Sequence, residues 1–434
     1  MNLARYQKKK IAILGFGKEG RALLDFFSAA HISVQVYKHP TEKDFVELSK
    51  FQVVFRSPGL PWNSKLIQKL IRKGVEVSSS TKLFFELCPG KIIGITGTKG
   101  KGTTATILYK ILKTAGKKVF LGGNIGTSPL NFIHKIKKSD LVVLELSSFQ
   151  LQDLKTSPWL AIMLDVTSDH LDHHKNQAEY ISAKSPLIRY QKTSDSAVLD
   201  YDSPVVHRLG GSTKSIKHWY SRTKALPGGA FIGDDRVFFV HRRKQEVLFE
   251  KSLLKSPGEH YVTDATAAAL AAKVLKIRNS AIREGIATFH QSPHRLEFVA
   301  EYRGRKFYND SAATLPDATI AAIESFPGPK ILILGGSDKK ADYKILVKVI
   351  MKSDVRAVIT MGETGKKIAK LLHGSKGAPD TVYVEKGIDT VVKKAFEMSR
   401  EGDTVLLSPA SASFGQFDNY QDRGEKFAKA VKKL

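Results

Sequence analysis

Short apolar runs alternate with amphipathic stretches along the whole chain. Runs such as KKIAILGFG, KIIGIT, LVVLEL and KILILGG have the length of buried strands, and several of them end in glycine. Many of the stretches between them place apolar residues three and four positions apart, which is the spacing of a helix with one buried face. Strands and helices that alternate in this way predict an α/β protein with parallel sheets.

The pattern divides into three blocks. The first, residues 1–90, opens with a strand, a glycine turn and a helix and closes near Cys88-Pro89-Gly90. The second, residues 91–292, begins with KIIGIT and carries a β-rich insertion in which RVFFVHRRKQEVLFE is typical of a hairpin. The third, residues 293–434, contains KILILGG, RAVITMG and DTVLLSP. We therefore predict three domains, of which the first and third are Rossmann-like and the second has a small β insertion.

Length and composition narrow the class of protein. The chain has 434 residues, of which 42% are hydrophobic and 26% charged, as in ordinary globular proteins and unlike disordered or fibrous ones. No apolar run approaches the ~18–20 residues that span a bilayer, and no signal-peptide pattern follows MNLARYQKKK. The single cysteine, Cys88, excludes an intrachain disulfide and an all-cysteine metal site. We expect a cytoplasmic protein with no membrane insertion.

The charge is strongly positive. Lys and Arg number 69 against 42 Asp and Glu, a formal net charge of +27 that favours a polyanionic partner. However, the basic residues are spread over the whole chain and form no aromatic-interleaved stripe or nucleic-acid motif. We expect no nucleic-acid partner, because a small phosphorylated substrate needs only local positive charge.

The most specific local motif is GITGTKGKGTTATILYKIL at the start of the second block. Here a strand, a glycine-rich loop and a helix follow in the order that a phosphate cradle requires. Gly97, Gly100 and Gly102 let backbone N–H groups approach phosphate oxygens, and Lys101 supplies a cation for the β- and γ-phosphates. Because Gly102 occupies the position of the usual Mg²⁺-binding hydroxyl, Thr103 or Thr104 must take that role. The second block is thus predicted to be a P-loop ATPase-type domain.

A second glycine motif, Gly15-x-Gly17-x-x-Gly20, follows the first strand. It resembles a dinucleotide fingerprint, but the acidic residue expected after the next strand is absent, since VQVYKHP has Lys38 and His39 there. A helix start that faces a diphosphate, or a purely structural turn, remain the two interpretations.

Further polar residues follow strand-like runs. Glu145 and Ser147-Ser148 end LVVLELSS, and His170 lies in DVTSDHLDHH, fourteen residues before Lys184. A carboxylate and an imidazole beside a phosphate loop suit Mg²⁺ bound together with substrate oxygens. In the third block, four polar residues could meet at the carboxyl edge of one sheet: Arg295, Asp310, Lys339 and Ser413.

In this order, GTKGKGTT, GGNIGTSPL, LELSSFQL, TSDHLDHH, PHRLE, NDSAAT, LGGSDKKADY and LSPASASFGQF resemble the Mur ligases. Within that family the resemblance is strongest to the members that add D-glutamate to UDP-N-acetylmuramoyl-L-alanine. It runs from Gly15 to the C-terminus. LELSSFQL and the SPASASF ending are its specific parts, whereas the phosphate loop is shared with folylpolyglutamate synthase.

The resemblance implies a three-domain, ATP- and Mg²⁺-dependent ligase of peptidoglycan precursor synthesis. In such a reaction ATP phosphorylates the carboxylate of the precursor, and the amine of glutamate attacks the acyl phosphate. It further implies that Lys184 is carbamylated, which turns an ammonium into a carboxylate-like metal ligand. We expect a monomer whose partners are three small molecules: the UDP-sugar peptide precursor, glutamate and ATP.

The motifs and the resemblance together assign residues to each role. The catalytic residues are Lys101, Lys184, His170 and Glu145, and the metal is assigned to Thr103, Glu145, His170 and Lys184. ATP is assigned to Gly97, Thr98, Lys99, Gly100, Lys101, Gly102, Thr103, Thr104, Arg295 and Asp310. The UDP-sugar is assigned to Gly15, Gly17, Lys18, Glu19, Lys38, Ser57, Gly59, Asn124 and Ser147. Glutamate is assigned to Thr314, Lys339, Ser413 and Tyr420.

The chain departs from the family pattern at several of its motifs. Ala312 in NDSAAT stands where that pattern has a lysine near the glutamate, and Tyr261 and Asp264 replace two asparagines. Lys38-His39 replaces a uracil-binding Asp-Thr pair. These differences leave open a ligase of the same type that uses L-glutamate.

Two further alternatives are a folylpolyglutamate synthase-like amide ligase and a basic nucleotide-binding module without catalysis. The glycine fingerprint of the first block argues against the folate enzyme. The presence of Glu145, His170 and Lys184 argues against a module that has lost its catalytic residues.

Overall fold

The computed structural model describes residues 3–167, 174–254, 258–290, 293–338, 341–385 and 387–434. In this part of the chain the strands form three sheets that follow one another along the sequence. By their internal contacts the residues divide into two compact units, 1–254 with 260–289 and 255–259 with 290–434. The predicted α/β class with largely parallel sheets is confirmed.

The first sheet is entirely parallel, with the strand order β2-β1-β3-β4. Its strands are β1 (Ile11–Leu14), β2 (Val34–Tyr37), β3 (Val53–Arg56) and β4 (Glu76–Ser78). The helices of this region are α1 (Ala4–Gln7), α2 (Lys18–Ala29), α3 (Phe45–Leu48), α4 (Lys65–Arg72) and α5 (Ser80–Leu87). The central strands β1 and β3 are buried along their whole length, which explains their continuous apolar sequences.

The central sheet has the strand order β13-β12-β11-β10-β9-β8-β5-β7-β6. Its strands are β5 (Lys91–Thr96), β6 (Val119–Gly123), β7 (Leu141–Glu145), β8 (Leu160–Met163), β9 (Ser196–Asp200), β10 (Ile216–Ser221), β11 (Gly229–Ile232), β12 (Arg236–His241) and β13 (Lys244–Glu250). Its helices are α6 (Lys101–Thr114), α7 (Ser148–Leu151), α8 (Gln177–Lys184), α9 (Pro186–Arg189), α10 (Pro204–Ser212), α11 (Glu259–Val274) and α12 (Asn279–Ala287). Short 3₁₀ helices span Glu42–Asp44, Pro129–Lys135 and Lys251–Leu253.

The β-rich insertion contains the predicted hairpin. β12 and β13 pair antiparallel, and the connecting residues Arg242 and Arg243 have φ of +49° and +63°, the conformation of a two-residue hairpin turn. The insertion does not form a sheet of its own. Instead, β10 pairs with β9 and β10 to β13 lengthen the central sheet at one edge.

The first and central sheets share one hydrophobic core. Phe27 and Phe55 of the first sheet region belong to the same buried cluster as Val142 and Leu144 of the central sheet. The fully buried Arg56, at the end of β3, adds an ion pair to Asp153 at 3.2 Å, and its guanidinium also donates to the carbonyl oxygens of Phe149 and Leu60. This shared core explains why residues from both sheets fall into one compact unit.

The third sheet has the order β14-β15-β19-β16-β17-β18, in which only the β14–β15 pair is antiparallel. Its strands are β14 (Glu297–Tyr302), β15 (Arg305–Asn309), β16 (Lys330–Gly335), β17 (Val355–Met361), β18 (Asp380–Val384) and β19 (Thr404–Leu407). Its helices are α13 (Pro316–Glu324), α14 (Lys344–Lys352), α15 (Gly362–His373), α16 (Ile388–Met398) and α17 (Tyr420–Val431). The carboxyl ends of β15, β19 and β16 therefore lie side by side.

Among the described helices, none is long and apolar enough to cross a membrane.

Candidate active site

The phosphate loop connects β5 to α6 as the sequence predicts. β5 ends at Thr96 and α6 begins at Lys101, with Gly100 as the preceding residue at a φ of +80°, where glycine is favoured. A Cβ on Gly97 would lie 2.6 Å from the Cβ of Leu164, so this position also requires glycine. No side chain in the described residues caps α6, and an uncapped helix start is a place where anions bind.

Asp264, on α11, lies directly behind this loop. A Cβ on Gly100 would overlap its carboxylate, so the close approach of α11 to the loop depends on that glycine. Burial raises the pKa of Asp264 well above its usual range, and the neighbouring hydroxyls of Thr104 and Thr103 and the charge of Lys101 act in the opposite direction. The sequence marked Asp264 only as a departure from the family pattern, because its contact with the loop joins residues far apart in the chain.

Two lysine ammonium groups converge on the carbonyl oxygens of the loop. Lys101 Nζ donates to the oxygen of Thr98 at 2.7 Å and to that of Gly97 at 3.1 Å. Lys184 Nζ, at the end of α8, donates to the same Gly97 oxygen at 2.8 Å. Lys184 is only 1% exposed, and its Nζ lies 4.6 Å from the centroid of the Tyr180 ring. The structure therefore brings together two of the four predicted catalytic residues.

Glu145, at the end of β7, is buried beside the first turn of α6. Its Oε1 accepts a hydrogen bond from Asn124 Nδ2 at 3.2 Å, and its Oε2 lies 3.6 Å from the point that a Cβ on Gly102 would occupy. Thr103 follows in the same turn. In the described ranges, no group of three or more His, Cys, Asp or Glu side chains could hold a metal ion. Oxygen donors from a carboxylate and a hydroxyl fit Mg²⁺, which binds one or two carboxylates together with phosphate oxygens and water.

The remaining loop residues differ in their surroundings. Thr98 is buried, and its backbone N–H donates to the carbonyl oxygen of Asp165 at 2.8 Å, whereas Lys99 is exposed. Two predicted site residues, His170 and Lys339, lie outside the described residues, as do Asp172, His173 and Lys340.

A cavity of about 470 Å³ lies at the carboxyl edge of the first sheet. It is lined by eight of the nine residues that the sequence assigned to the UDP-sugar, namely Gly15, Gly17, Lys18, Glu19, Lys38, Ser57, Gly59 and Asn124. The structure adds Phe16, His39, Pro40, Pro58, Leu60 and Gly123 to the lining. α2 begins at this cavity without a side-chain cap, and the buried Ser57 Oγ makes no hydrogen bond within the described residues. The backbone N–H groups at the start of α2 and the Ser57 hydroxyl could therefore donate hydrogen bonds to an anion in the cavity.

The ninth residue, Ser147, is placed differently. Its Oγ caps α7 by accepting the backbone N–H of Gln150 at 3.4 Å, and its own N–H and Oγ donate to Gln150 Oε1 at 3.0 and 3.1 Å. The amide nitrogen of Gln150 in turn donates to Glu19 Oε1 at 2.6 Å. Burial raises the pKa of Glu19, and this hydrogen bond opposes the shift. Ser147 therefore connects to the cavity through Gln150, a residue that the sequence did not single out.

Polar residues also meet at the carboxyl edge of the third sheet. Asp310 follows β15, and its Oδ2 accepts a hydrogen bond from Ser408 Oγ, just after β19, at 2.7 Å. Arg295 is exposed and close enough to Asp310 to act on its pKa. Ser413 is buried further along the segment after β19, and Tyr420 is 38% exposed at the start of α17. Thr314 follows β15 by five residues and donates its N–H to the oxygen of Ala312.

The buried Asp310 leads to a pH-dependent stability. Burial raises the pKa of this carboxyl to about 7, although Ser408, the N–H of Leu296 and two arginines act against the shift. In the unfolded chain it titrates near its usual value of about 3.9, so unfolding releases a proton between these two values. The free energy of unfolding is therefore expected to fall as pH rises from about 4 to 7, by up to about 1.4 kcal/mol per pH unit from this group.

Asp310→Asn removes the titrating group. The difference in unfolding midpoint between wild type and this variant, measured at several pH values by thermal denaturation, is expected to shift in favour of the variant as pH rises. A difference that does not change over this range would contradict the raised pKa.

Comparison with known proteins assigns the chain to a family. It is 36% identical to a UDP-N-acetylmuramoylalanine–D-glutamate ligase of Acetivibrio thermocellus, over 99% of this chain and 97% of that protein. The chain belongs to the Mur ligase family. Residues 95–272 match the Mur ligase middle domain, and residues 294–411 match the Mur ligase glutamate ligase domain.

Other Mur ligases agree with this assignment. The protein of the same name from Geobacillus kaustophilus is 33% identical over 99% of this chain and 98% of its own length. Among solved structures, the UDP-N-acetylmuramate-alanine ligase MurC of Thermotoga maritima shares the fold, with a TM-score of 0.62 and 17% identity over 98% of this chain and 99% of that one. The resemblance to Mur ligases noted in the sequence is thus confirmed.

Proposed function

We infer that this Mur ligase joins D-glutamate to UDP-N-acetylmuramoyl-L-alanine at the expense of ATP, in the synthesis of peptidoglycan precursors. The observation that carries this conclusion is the similarity over nearly the whole chain to relatives that bear this name. The phosphate loop, the carboxylate beside it and the separate cavity at the first sheet are what such a reaction requires.

The proposed reaction has two steps. A carboxylate oxygen of the alanyl group attacks the γ-phosphorus of ATP, the bond from that phosphorus to the β,γ-bridging oxygen breaks, and ADP leaves. The amine of D-glutamate then attacks the carbonyl carbon of the acyl phosphate, inorganic phosphate leaves, and the nitrogen loses a proton. Both steps need positioning and neutralisation of phosphate charge more than they need covalent participation of the protein.

We assign the first step to the phosphate loop and its surroundings. Residues Gly97 to Thr104, with Lys99 at the exposed tip, would hold the phosphates. The backbone N–H groups of Thr98 and Thr104 are not among the donors, because they donate to the carbonyl oxygens of Asp165 and Gly100. Lys101, which contacts two loop carbonyls, would turn its ammonium to the β- and γ-phosphates. When bound, Mg²⁺ supplies charge neutralisation at the phosphate oxygens, and Glu145, Thr103, His170 and a carbamylated Lys184 are the ligands that we propose for it.

Carbamylation of Lys184 would change the character of this position. The ammonium first loses a proton. The neutral amine then attacks CO₂, a bond from Nζ to carbon forms as one C=O π bond breaks to leave an anionic oxygen, and the nitrogen releases a second proton, so that a buried cation becomes an anion. Lys184 is almost fully buried beside the loop, where an ammonium would repel a divalent cation. A carbamate there would instead offer an oxygen ligand.

We propose that the cavity at the first sheet binds the UDP moiety of the precursor. Its support is the convergence of an uncapped helix start, a buried hydroxyl and the cationic Lys38 on one space of about 470 Å³. In this proposal Gly15 to Glu19 and Ser57 with Gly59 hold the diphosphate. Asn124 contacts the sugar, and Ser147 acts through Gln150.

Gly15→Ala tests the cavity. The φ of Gly15 is +89°, and an added Cβ would overlap Ser57 Oγ, so the variant is expected to weaken UDP binding by about tenfold or more, because both diphosphate-binding segments must move. Gly74→Ala is the matched control, since Gly74 has a φ of +86° and open space around it. The dissociation constant of UDP, measured by titration calorimetry on the full chain, should change only in the first variant. Equal constants in the two variants would contradict the assignment.

The third sheet is assigned the remaining ligand contacts. We propose that Arg295 and Asp310 contact the nucleotide, and that Thr314, Lys339, Ser413 and Tyr420 surround the incoming glutamate.

We also propose a division into domains at 1–90, 91–292 and 293–434, a monomeric state and a cytoplasmic location.

Product formation tests the proposed function. The full chain is incubated with ATP, Mg²⁺, UDP-N-acetylmuramoyl-L-alanine and either D- or L-glutamate, and the ligated product is identified by mass spectrometry. We expect ADP and phosphate release only when all substrates are present, with D-glutamate strongly preferred. Preference for L-glutamate would favour the alternative suggested by Ala312, a ligase of the same type that uses L-glutamate. Ligation of glutamate to a folate instead of the UDP-sugar would overturn the proposal.

A further inference from the structure

The segment before β14 has an unusual backbone. His294 and Leu296 both lie in the left-handed region, with φ of +66° and +46°, although neither is glycine. Non-glycine residues adopt this conformation rarely and at an energetic cost, so surrounding contacts must impose it. Arg295 stands between them and is exposed, whereas both of its neighbours are buried. We call residues 294–296 the arginine arch.

Hydrogen bonds hold both ends of the arginine arch. The backbone N–H of His294 donates to Glu297 Oε2 at 2.8 Å, and its carbonyl oxygen accepts from the N–H of Ala312 at 2.9 Å. The N–H of Leu296 donates to Asp310 Oδ1 at 3.2 Å. Each bond to Ala312 and Asp310 ties the arch to the segment that follows β15.

The side chain of His294 makes the central contact. Its Nδ1 lies 2.9 Å from Asn309 Nδ2, and the same amide nitrogen lies 3.2 Å from Glu297 Oε2 and 3.2 Å from the carbonyl oxygen of Gly424. A Cβ on Gly424 would overlap His294 Nδ1, so α17 packs directly on the imidazole. The imidazole is thus enclosed between β15 and α17.

We propose that His294 is a positioning residue for Arg295. By holding a strained arch against the end of β15, it fixes the backbone of Arg295 and hence the direction of its Cα–Cβ bond, so that Arg295 binds the nucleotide without further ordering of the backbone. This inference rests on the nucleotide contact proposed for Arg295. His294 itself touches no substrate in this account.

Three substitutions at position 294 distinguish the loss of the hydrogen bond to Asn309 from the loss of the left-handed backbone conformation. Asparagine tolerates a positive φ, and its Oδ1 can accept the hydrogen bond from Asn309 in place of the imidazole nitrogen. Alanine loses this bond and is disfavoured at positive φ. Glycine loses the bond but accepts the backbone conformation freely.

A double-mutant cycle tests the proposal on the full chain. The dissociation constant of ADP with Mg²⁺ is measured by titration calorimetry for wild type, His294→Ala, Arg295→Ala and the double variant. We expect each single variant to weaken ADP binding by about tenfold, the loss that a displaced charged hydrogen-bond donor produces. The double variant should bind as Arg295→Ala does, within about twofold, because His294 acts only through Arg295.

Rescue and control variants complete the experiment. His294→Asn should bind ADP within about twofold of wild type. Arg303→Ala, at another exposed left-handed residue in the β14–β15 turn, should have no effect. If His294→Ala does not fold by circular dichroism, His294→Gly takes its place in the cycle.

Two results would overturn the proposal: a further tenfold loss when His294→Ala is added to Arg295→Ala, or unchanged ADP binding in either single variant. Because ADP binding is measured without ligation, this outcome is distinct from a failure of the proposed function. That failure would be seen as wild-type protein that binds ADP but forms no ligated product.

Discussion

Replacing Lys101 with alanine is expected to lower the rate of ATP-dependent ligation by at least about a thousandfold, the scale of losing one principal cationic contact to a transferring phosphoryl group. The ammonium of Lys101 lies against the loop carbonyls of Thr98 and Gly97, at the start of α6. No other residue of that helix turn carries a positive charge. The glycines that shape the loop stay in place, so the fold is expected to remain.

Lys113→Ala is the matched control for this change. Lys113 is an exposed lysine in the last turn of the same helix, and its removal alters the net charge equally. The rate of phosphate release and the circular dichroism spectrum are measured for both variants. A folded Lys101→Ala variant with wild-type turnover would contradict the role assigned to Lys101.

Lys184→Met is expected to lower the rate of ligation by about as much as Lys101→Ala does. Methionine preserves most of the buried volume beside Tyr180, but it offers neither an ammonium to the Gly97 carbonyl nor a nitrogen that can be carbamylated. We expect Lys184→Ala to recover part of its activity when a short carboxylic acid is added, because the carboxylate would replace the missing metal ligand. Lys192→Met, at an exposed lysine shortly after α9, is the control and should retain full activity.

The modification itself has a direct signature. Wild-type protein in ¹³C-bicarbonate should show a carbamate carbon resonance that is absent from Lys184→Met. Full activity of Lys184→Met would contradict a catalytic role for the lysine. An active wild-type enzyme without the resonance would contradict carbamylation alone and leave the ammonium of Lys184 as the working group.

Local features of the fold could be predicted because they depend on neighbouring residues. The strand, glycine loop and helix around Gly97 and Gly100 are encoded within twenty residues or so, and the hairpin turn at Arg242-Arg243 is encoded by the apolar runs on either side. The same holds for β16, whose continuous apolar sequence indicates a strand buried on both faces.

Long-range contacts could not be predicted in this way. The pairing of β10 with β9 extends the central sheet, but the sequence of β10 does not indicate which strand it pairs with. The ion pair of Arg56 with Asp153 and the contact of Asp264 with Gly100 likewise join residues that are distant in the chain. The left-handed backbone at His294 has no local signal, because it is imposed by hydrogen bonds from other segments.

Most residues that the sequence assigned to the UDP-sugar lie together in the structure, but the sequence did not predict how their side chains connect. Eight of the nine residues assigned to the UDP-sugar line one cavity, because glycine turns and strand ends of a parallel sheet gather at one edge. Ser147 is the ninth, and its link through Gln150 to Glu19 required side-chain geometry. The roles of these residues stay predictions.

We propose that this chain activates the alanyl carboxylate by phosphorylation before D-glutamate attacks. The most direct test uses UDP-N-acetylmuramoyl-L-alanine labelled with ¹⁸O in both carboxylate oxygens, together with ATP, Mg²⁺ and D-glutamate. Phosphorylation of the carboxylate transfers one of these oxygens to phosphorus, so mass spectrometry should find one ¹⁸O in each inorganic phosphate released and one in the new amide carbonyl. Ligation accompanied by unlabelled phosphate, or phosphate release without ligated product, would contradict activation of the carboxylate through an acyl phosphate.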